Sequence, residues 1–95
     1  MISFTVRMKF APEDRDEIAE LLRKLTAASR QESGCVTYIA HHLEGNPDSV
    51  MIYEQYTDKA AEDAHRQSEH FNRYAVGGLY QKMLERSRED FVAIV

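Results

Sequence analysis

The first ten residues constrain the fold more than any other segment. Ile2, Phe4, Val6, Met8 and Phe10 alternate with Ser3, Thr5, Arg7 and Lys9, the period-two signature of a β-strand with one strongly apolar face. Such a face needs a cover, and the next segment supplies one. Pro12 suits a first helical turn, Glu13 and Asp14 suit the positive end of a helix dipole, and Ile18, Leu21, Leu22 and Leu25 recur at helical spacing. A helix is predicted from about Pro12 to Glu32, stopped by Gly34 as a C-cap glycine. The opening segment has no basic stretch followed by an apolar core, so it reads as a strand and not as a signal peptide.

Val36 to Leu43 reads as a second strand, Gly45, Asn46, Pro47 and Asp48 as a turn, and Val50 to Thr57 as the third strand of a hairpin. Asp58 is a fair N-cap for a second helix, and Ser68 can cap a further helical stretch carrying Phe71, Tyr74 and Ala75. Gly77 and Gly78 loosen or kink that stretch, Leu79, Tyr80, Met83 and Leu84 resume helical spacing, and Phe91 to Val95 read as a last apolar strand. The order β-α-β-β-α-β predicts an α+β, ferredoxin-like antiparallel sheet with helices on one face. Residues 1–95 read as a single domain, short enough to bury only a limited fraction of its surface. One sheet face is left bare, so a homodimer through that face is expected.

A net charge of -4 with dispersed Lys and Arg argues against nucleic acid or an anionic membrane as partner. No apolar run approaches the roughly 20 residues that span a bilayer. Cys35, the sole cysteine, rules out an intrachain disulfide, fits a reducing cytoplasmic location and reads as structural. There is no dinucleotide-binding glycine fingerprint, no phosphate loop, no His-Glu-x-x-His helix and no nucleophile elbow, so neither a cofactor nor a metal is expected.

The richest segment for chemistry is Tyr53 to Phe71. Alternation puts Val50, Ile52, Glu54 and Tyr56 on one strand face, while Ala61, Ala64, His65 and Ser68 fall on one helical stripe. Small residues there leave space above the sheet, and His65 is the ring able to reach into it; the same spacing also describes a plain packing stripe. His70, five residues on, lies roughly 140° away on an ideal helix and shares His65's direction only if the chain breaks at Ser68. Glu54 is either a paired structural group or a base whose pKa is raised by desolvation. Tyr38, Tyr53 and Tyr56 offer rings and hydroxyls to an aromatic ligand, though aromatics also fill any sheet core. His41 and His42, adjacent on a strand, point to opposite faces and cannot chelate one ion together.

Three short runs, Gly34-Cys35-Val36-Thr37-Tyr38, Tyr53-Glu54 through Asp58, and Ala64-His65 through Ser68, His70 and Phe71, give the chain its resemblance to the antibiotic biosynthesis monooxygenase family. The resemblance covers nearly the whole chain. It implies a dimeric α+β barrel, and a cofactor-independent monooxygenase that oxidises a quinol or polyphenolic aromatic with dioxygen. In that reading the base is His65 or Glu54, the substrate-binding groups are Tyr38, Tyr56, Phe71 and His70, and Arg7 or Arg73 is an anion partner. The same scaffold also suits an isomerase of a small hydroxylated carbonyl compound, or a non-catalytic binding dimer. Heme degradation is disfavoured, because His65 and Ala75 stand where heme-degrading relatives carry a Trp and the iron-binding His.

Overall fold

The computed structural model describes residues Met1–Val95. Strand β1, Ile2–Lys9, lies in the interior of a four-stranded antiparallel sheet, with β2 (Cys35–Leu43), β3 (Asn46–Tyr56) and β4 (Glu85–Phe91) arranged in the order β2-β3-β1-β4. This is the ferredoxin-like order. A 3-10 turn at Pro12–Asp14 leads into helix α1, Arg15–Ser29, whose Ile18, Leu22 and Leu25 are buried. They pack on the inner face of β1 and β3, where Phe4, Val6, Met8, Val50, Ile52 and Tyr56 are almost fully covered. The N-terminal alternation thus places the core directly.

Helix α2, Lys59–Arg66, opens as its sequence demands, with the Asp58 carboxylate accepting the Ala61 N–H at 2.8 Å. It ends at Arg66, and Ser68 begins the next helical stretch by accepting the Phe71 N–H at 3.2 Å. Residues Phe71–Leu79 then form a π-helix that continues into a single α-turn at Tyr80–Lys82. The hairpin between β2 and β3 turns tightly at Gly45, the one residue with positive φ, at 78°.

Several expectations require correction, among them the turn at Gly45 to Asp48, since β3 already begins at Asn46. The barrel is not formed: β2 and β4 are the two free edges of an open sheet, kept apart by β3 and β1, and helices cover one face only. The uncovered face is also less apolar than the dimeric-barrel expectation assumed. Across it the Thr37 hydroxyl donates to Gln55 and the Gln55 amide donates to the Ser3 hydroxyl, a polar row beside half-exposed Ile39. The last strand is Glu85–Phe91 and not Phe91 to Val95, and Phe91 is exposed outside the core. Hydrophobicity misleads there because an edge strand pairs on one side only and tolerates charge, which also guards it against edge-to-edge pairing. The first helix ends at Ser29, short of Glu32, so that Glu32 sits in a turn.

No helix is long and apolar enough to cross a membrane. Gly34 is fixed by close approach instead of by a helix cap. Its carbonyl accepts the Thr57 N–H at 2.9 Å, and any Cβ there would overlap the Ala61 methyl. Gly34→Ala is therefore expected to cost about 1–3 kcal/mol by overpacking, read as a lowered thermal midpoint, and Ala61→Gly is expected to be less destabilising in the Gly34→Ala chain than in the parent, where it costs about 1 kcal/mol of helix propensity.

Candidate active site

The core is not filled to the end. Between the inner face of the sheet and the π-helix lies a cavity of about 410 Å³, lined mostly by apolar side chains. Phe4, Val6 and Ile52 form its floor, Phe71, Ala75 and Leu79 its roof, and Arg86 and Arg88 of β4 stand along the sheet side. The size suits a small organic molecule. The π-helix widens the backbone where the roof is needed, a local irregularity frequent at functional sites.

A carboxyl and an imidazole, Glu54 and His65, face this space, each almost fully buried. Glu54 Oε1 accepts the Tyr56 hydroxyl at 2.7 Å and lies 3.7 Å from His65 Nε2. Burial pushes the Glu54 carboxyl from 4.5 up to about 7, against the opposing pull of Tyr56 and Arg88. Burial also lowers the His65 pKa, against the Glu32 carboxylate that favours its charged form. Both groups are thereby drawn towards neutrality near physiological pH, the condition for moving protons in either direction. The Tyr38 and Tyr56 hydroxyls are pushed well up, first by burial and then by Glu54, so both remain protonated donors.

His65 is held from behind. Its Nδ1 lies 2.8 Å from Glu32 Oε2, and His70 Nε2 meets the same oxygen. A carboxylate only accepts, so His65 donates its Nδ1–H and its Nε2 keeps the free lone pair. The helix break at Ser68 makes this possible, bringing the two imidazole centroids to 6.1 Å. His65 also packs edge-on against Phe71 at 5.1 Å and tilted against Tyr56 at 5.1 Å, so its ring is fixed on several sides.

Of the residues singled out from the sequence, His65, Glu54, Tyr38 and Phe71 line the cavity. Tyr56 and His70 stand one layer back, Tyr56 bonded to Glu54 and His70 to Glu32. The expected stripe on α2 is rotated: Ala64 is exposed, and Glu62 is buried beside His65. Arg7 projects from the uncovered sheet face, and Arg73 stacks over Tyr74 on the outside. The cations that do reach the site were missed. Arg88 lies over the Phe4 ring at 3.7 Å and meets Glu62 at 3.0 Å, while Arg86 lies over Tyr80 at 5.7 Å with no carboxylate partner. Glu62 takes Arg66 as well, at 2.9 Å, which compensates its burial. The only signal for the two β4 arginines was the alternation Arg86, Arg88, Asp90 within a segment too polar to read as a strand. Burial raises the Cys35 thiol pKa, in keeping with a structural role.

Fold and site together define a small α+β protein with an enzyme-like cavity for an organic molecule. The chain belongs to the antibiotic biosynthesis monooxygenase family, whose model matches residues 1–76. It is similar to a solved antibiotic biosynthesis monooxygenase structure, with a TM-score of 0.93 and 25% identity over 100% of both chains. It is 28% identical over 78 residues to YcnE of Bacillus subtilis strain 168, covering 82% of each. It is also 28% identical over 67 residues to sll1783 of Synechocystis, covering 70% of this chain but only 46% of that protein. At the family level the function is monooxygenase-like oxidoreductase chemistry.

The Glu54 shift has a measurable consequence. With its folded pKa raised from 4.5 to about 7, the native chain binds more protons than the unfolded chain in that window, so stability falls as pH rises through it. Between about pH 5 and pH 8 the parent is expected to lose up to about 3 kcal/mol more than Glu54→Gln. Urea unfolding at both pH values checks this. His65, whose lowered pKa destabilises the fold as pH falls, is present in both proteins, and its coupling to Glu54 across 3.7 Å enters the difference.

Proposed function

We propose that this chain is a cofactor-independent monooxygenase acting on a quinol or polyphenolic aromatic substrate with dioxygen. The observation that supports the reading is the neutral-poised His65 and Glu54 pair, 3.7 Å apart, facing an apolar cavity. His65 Nε2 takes a phenolic proton, Glu54 shares it, and the phenolate is met by Arg86 and Arg88 from β4. An electron-rich phenolate in a dry pocket reduces dioxygen itself. One oxygen atom enters a ring carbon, the other leaves as water, and the four electrons required come from the ring as the quinol becomes a hydroxylated quinone. No external reductant enters the balance. Tyr38 and Phe71 hold the ring against the floor, and Tyr56 and His70 keep Glu54 and His65 oriented.

Self-association into a homodimer also belongs to this proposal, without closure of a barrel. Its support is the tail beyond β4, where Val92, Ile94 and Val95 are exposed apolar side chains. Sedimentation equilibrium at micromolar concentration is expected to give twice the 11.0 kDa chain mass, and a persistent monomer would remove this part.

Oxygen uptake over a panel of quinols and catechols tests the activity. His65→Gln is expected to lower kcat by about a hundredfold or more while keeping the circular dichroism of the parent. Glutamine is preferred to alanine because His65 packs on four rings, and truncation there would open the core. An unchanged rate per folded molecule would move the base to Glu54. No oxygen uptake, with deuterium exchange beside a carbonyl instead, would replace the oxidase reading by an isomerase.

A further inference from the structure

Behind the cavity, on the far side of the His65 ring, three ligand-type side chains converge. Glu32, His65 and His70 each present one donor atom, and all three atoms lie within 4.8 Å of one another. Two imidazole nitrogens aim at a single carboxylate oxygen, His65 Nδ1 at 2.8 Å and His70 Nε2 even closer. The N–H that each ring donates there lies along the direction its lone pair takes once that nitrogen is deprotonated. The two rings therefore aim their ligand lone pairs at one point.

We propose that Glu32, His65 and His70 form a binding site for a borderline divalent cation of the Zn²⁺ or Co²⁺ type. Two neutral imidazoles and one carboxylate are a ligand set that such ions favour, with room left for water. Tetrahedral bonds of about 2.0–2.2 Å place neighbouring ligand atoms about 3.4 Å apart, and the point on which the two rings converge is held by Glu32 Oε2 itself, so insertion requires that carboxylate to swing outward by about 2 Å, one metal–oxygen bond length. Glu32 can make that movement. It lies in the turn after α1, and its side chain is 17% exposed, as His70's is 21% exposed, giving the ion an entry from solvent. The rings themselves are held in place: Ser68 donates to the His65 carbonyl at 2.6 Å and accepts the Phe71 N–H, which fixes the break that brings His65 and His70 together. The far nitrogen of His65 faces the Glu54 carboxyl, the outer-shell arrangement usual for ligating histidines. Arg66, whose charge bears on His65, is paired with Glu62 at 2.9 Å.

The ion would sit outside the substrate cavity, so its effect on chemistry is indirect. Occupation of Nδ1 leaves the remaining ring proton on Nε2 and turns that nitrogen from an acceptor into a donor. Resting on the reading of His65 as base, the cation is an inhibitor.

Titration of the full chain with Co²⁺ followed by visible absorption, and with Zn²⁺ by calorimetry, tests the site. One ion per chain is expected, with affinity weakened at least about tenfold in His70→Ala and in Glu32→Gln and retained in the His41→Ala/His42→Ala double variant. His70 lies outside the core and outside the cavity lining, and Glu32→Gln provides a second measurement where His70→Ala folds poorly. Absence of Co²⁺ binding by the parent, binding untouched by both site variants, or binding lost only with His41 and His42 would overturn the site. Zn²⁺ is further expected to suppress quinol turnover in the parent, and to suppress that of His70→Ala far less at the same concentration, each rate taken relative to the same protein without metal. Site-specific binding without loss of turnover would uphold the site and overturn His65 as the base.

Discussion

The structure depends on one strand pair. β1 and β3 lie side by side in the middle of the sheet, with Phe4 opposite Glu54 and Val6 opposite Ile52, and their inward side chains are the surface on which every helix rests. The part built from Phe10 and Val50, with Ile18 and Leu22 of α1, closes as ordinary core. The part near Phe4, Glu54 and Tyr56 is covered by α2 and the π-helix, whose contacting residues include Ala61 and Ala75. The cavity is the space that this cover, with Phe71, Ala75 and Leu79 over the sheet, leaves unfilled.

Burying three charged or titratable groups beside this void has a cost that the fold offsets unevenly. Glu62 meets Arg88, Arg66 and Lys59 and keeps three cations as partners. His65 is tied to Glu32, a group with partial access to water. Glu54 has only a neutral hydroxyl at hydrogen-bond distance, so desolvation governs it and its pKa moves to about 7. The group left least compensated is the one whose protonation state responds to pH near neutrality. Apolar packing around it, from Phe4, Tyr38 and Leu25, supplies the stability that this leaves unrecovered.

The two histidines show how a local break creates a site. On a continuous helix their directions would diverge. Here α2 ends at Arg66, Ser68 bonds both backwards and forwards, and the next stretch begins at an angle that brings His70 over the same carboxylate as His65. Glu32 is supplied from a distant turn, made available because α1 stops at Ser29. The tautomer of His65, and hence which face of the ring accepts a proton, is set by this remote contact.

Much of the fold was legible in the sequence. Period-two alternation in residues 2–10, the apolar stripe of α1, the Gly45 turn and the Asp58 cap are local signals, and local sterics and hydrogen bonding enforce them. Glu54 was readable as an inward residue from the strand period and His65 as a ring able to reach over the sheet, while Tyr38 and Phe71 were singled out by aromatic character and by the family resemblance. The rest was decided by tertiary structure. β4 is polar because an edge strand needs backbone pairing on one side and little burial, so no hydrophobic pattern announced it or the cavity arginines it carries. Whether the sheet closes depends on where its edges lie, and a chain's hydrophobic period cannot state that. Glu32 reaches His65 across 33 residues of sequence, a distance over which no local preference acts; only the packing of α1 and α2 on a common sheet brings the carboxylate and the imidazole together.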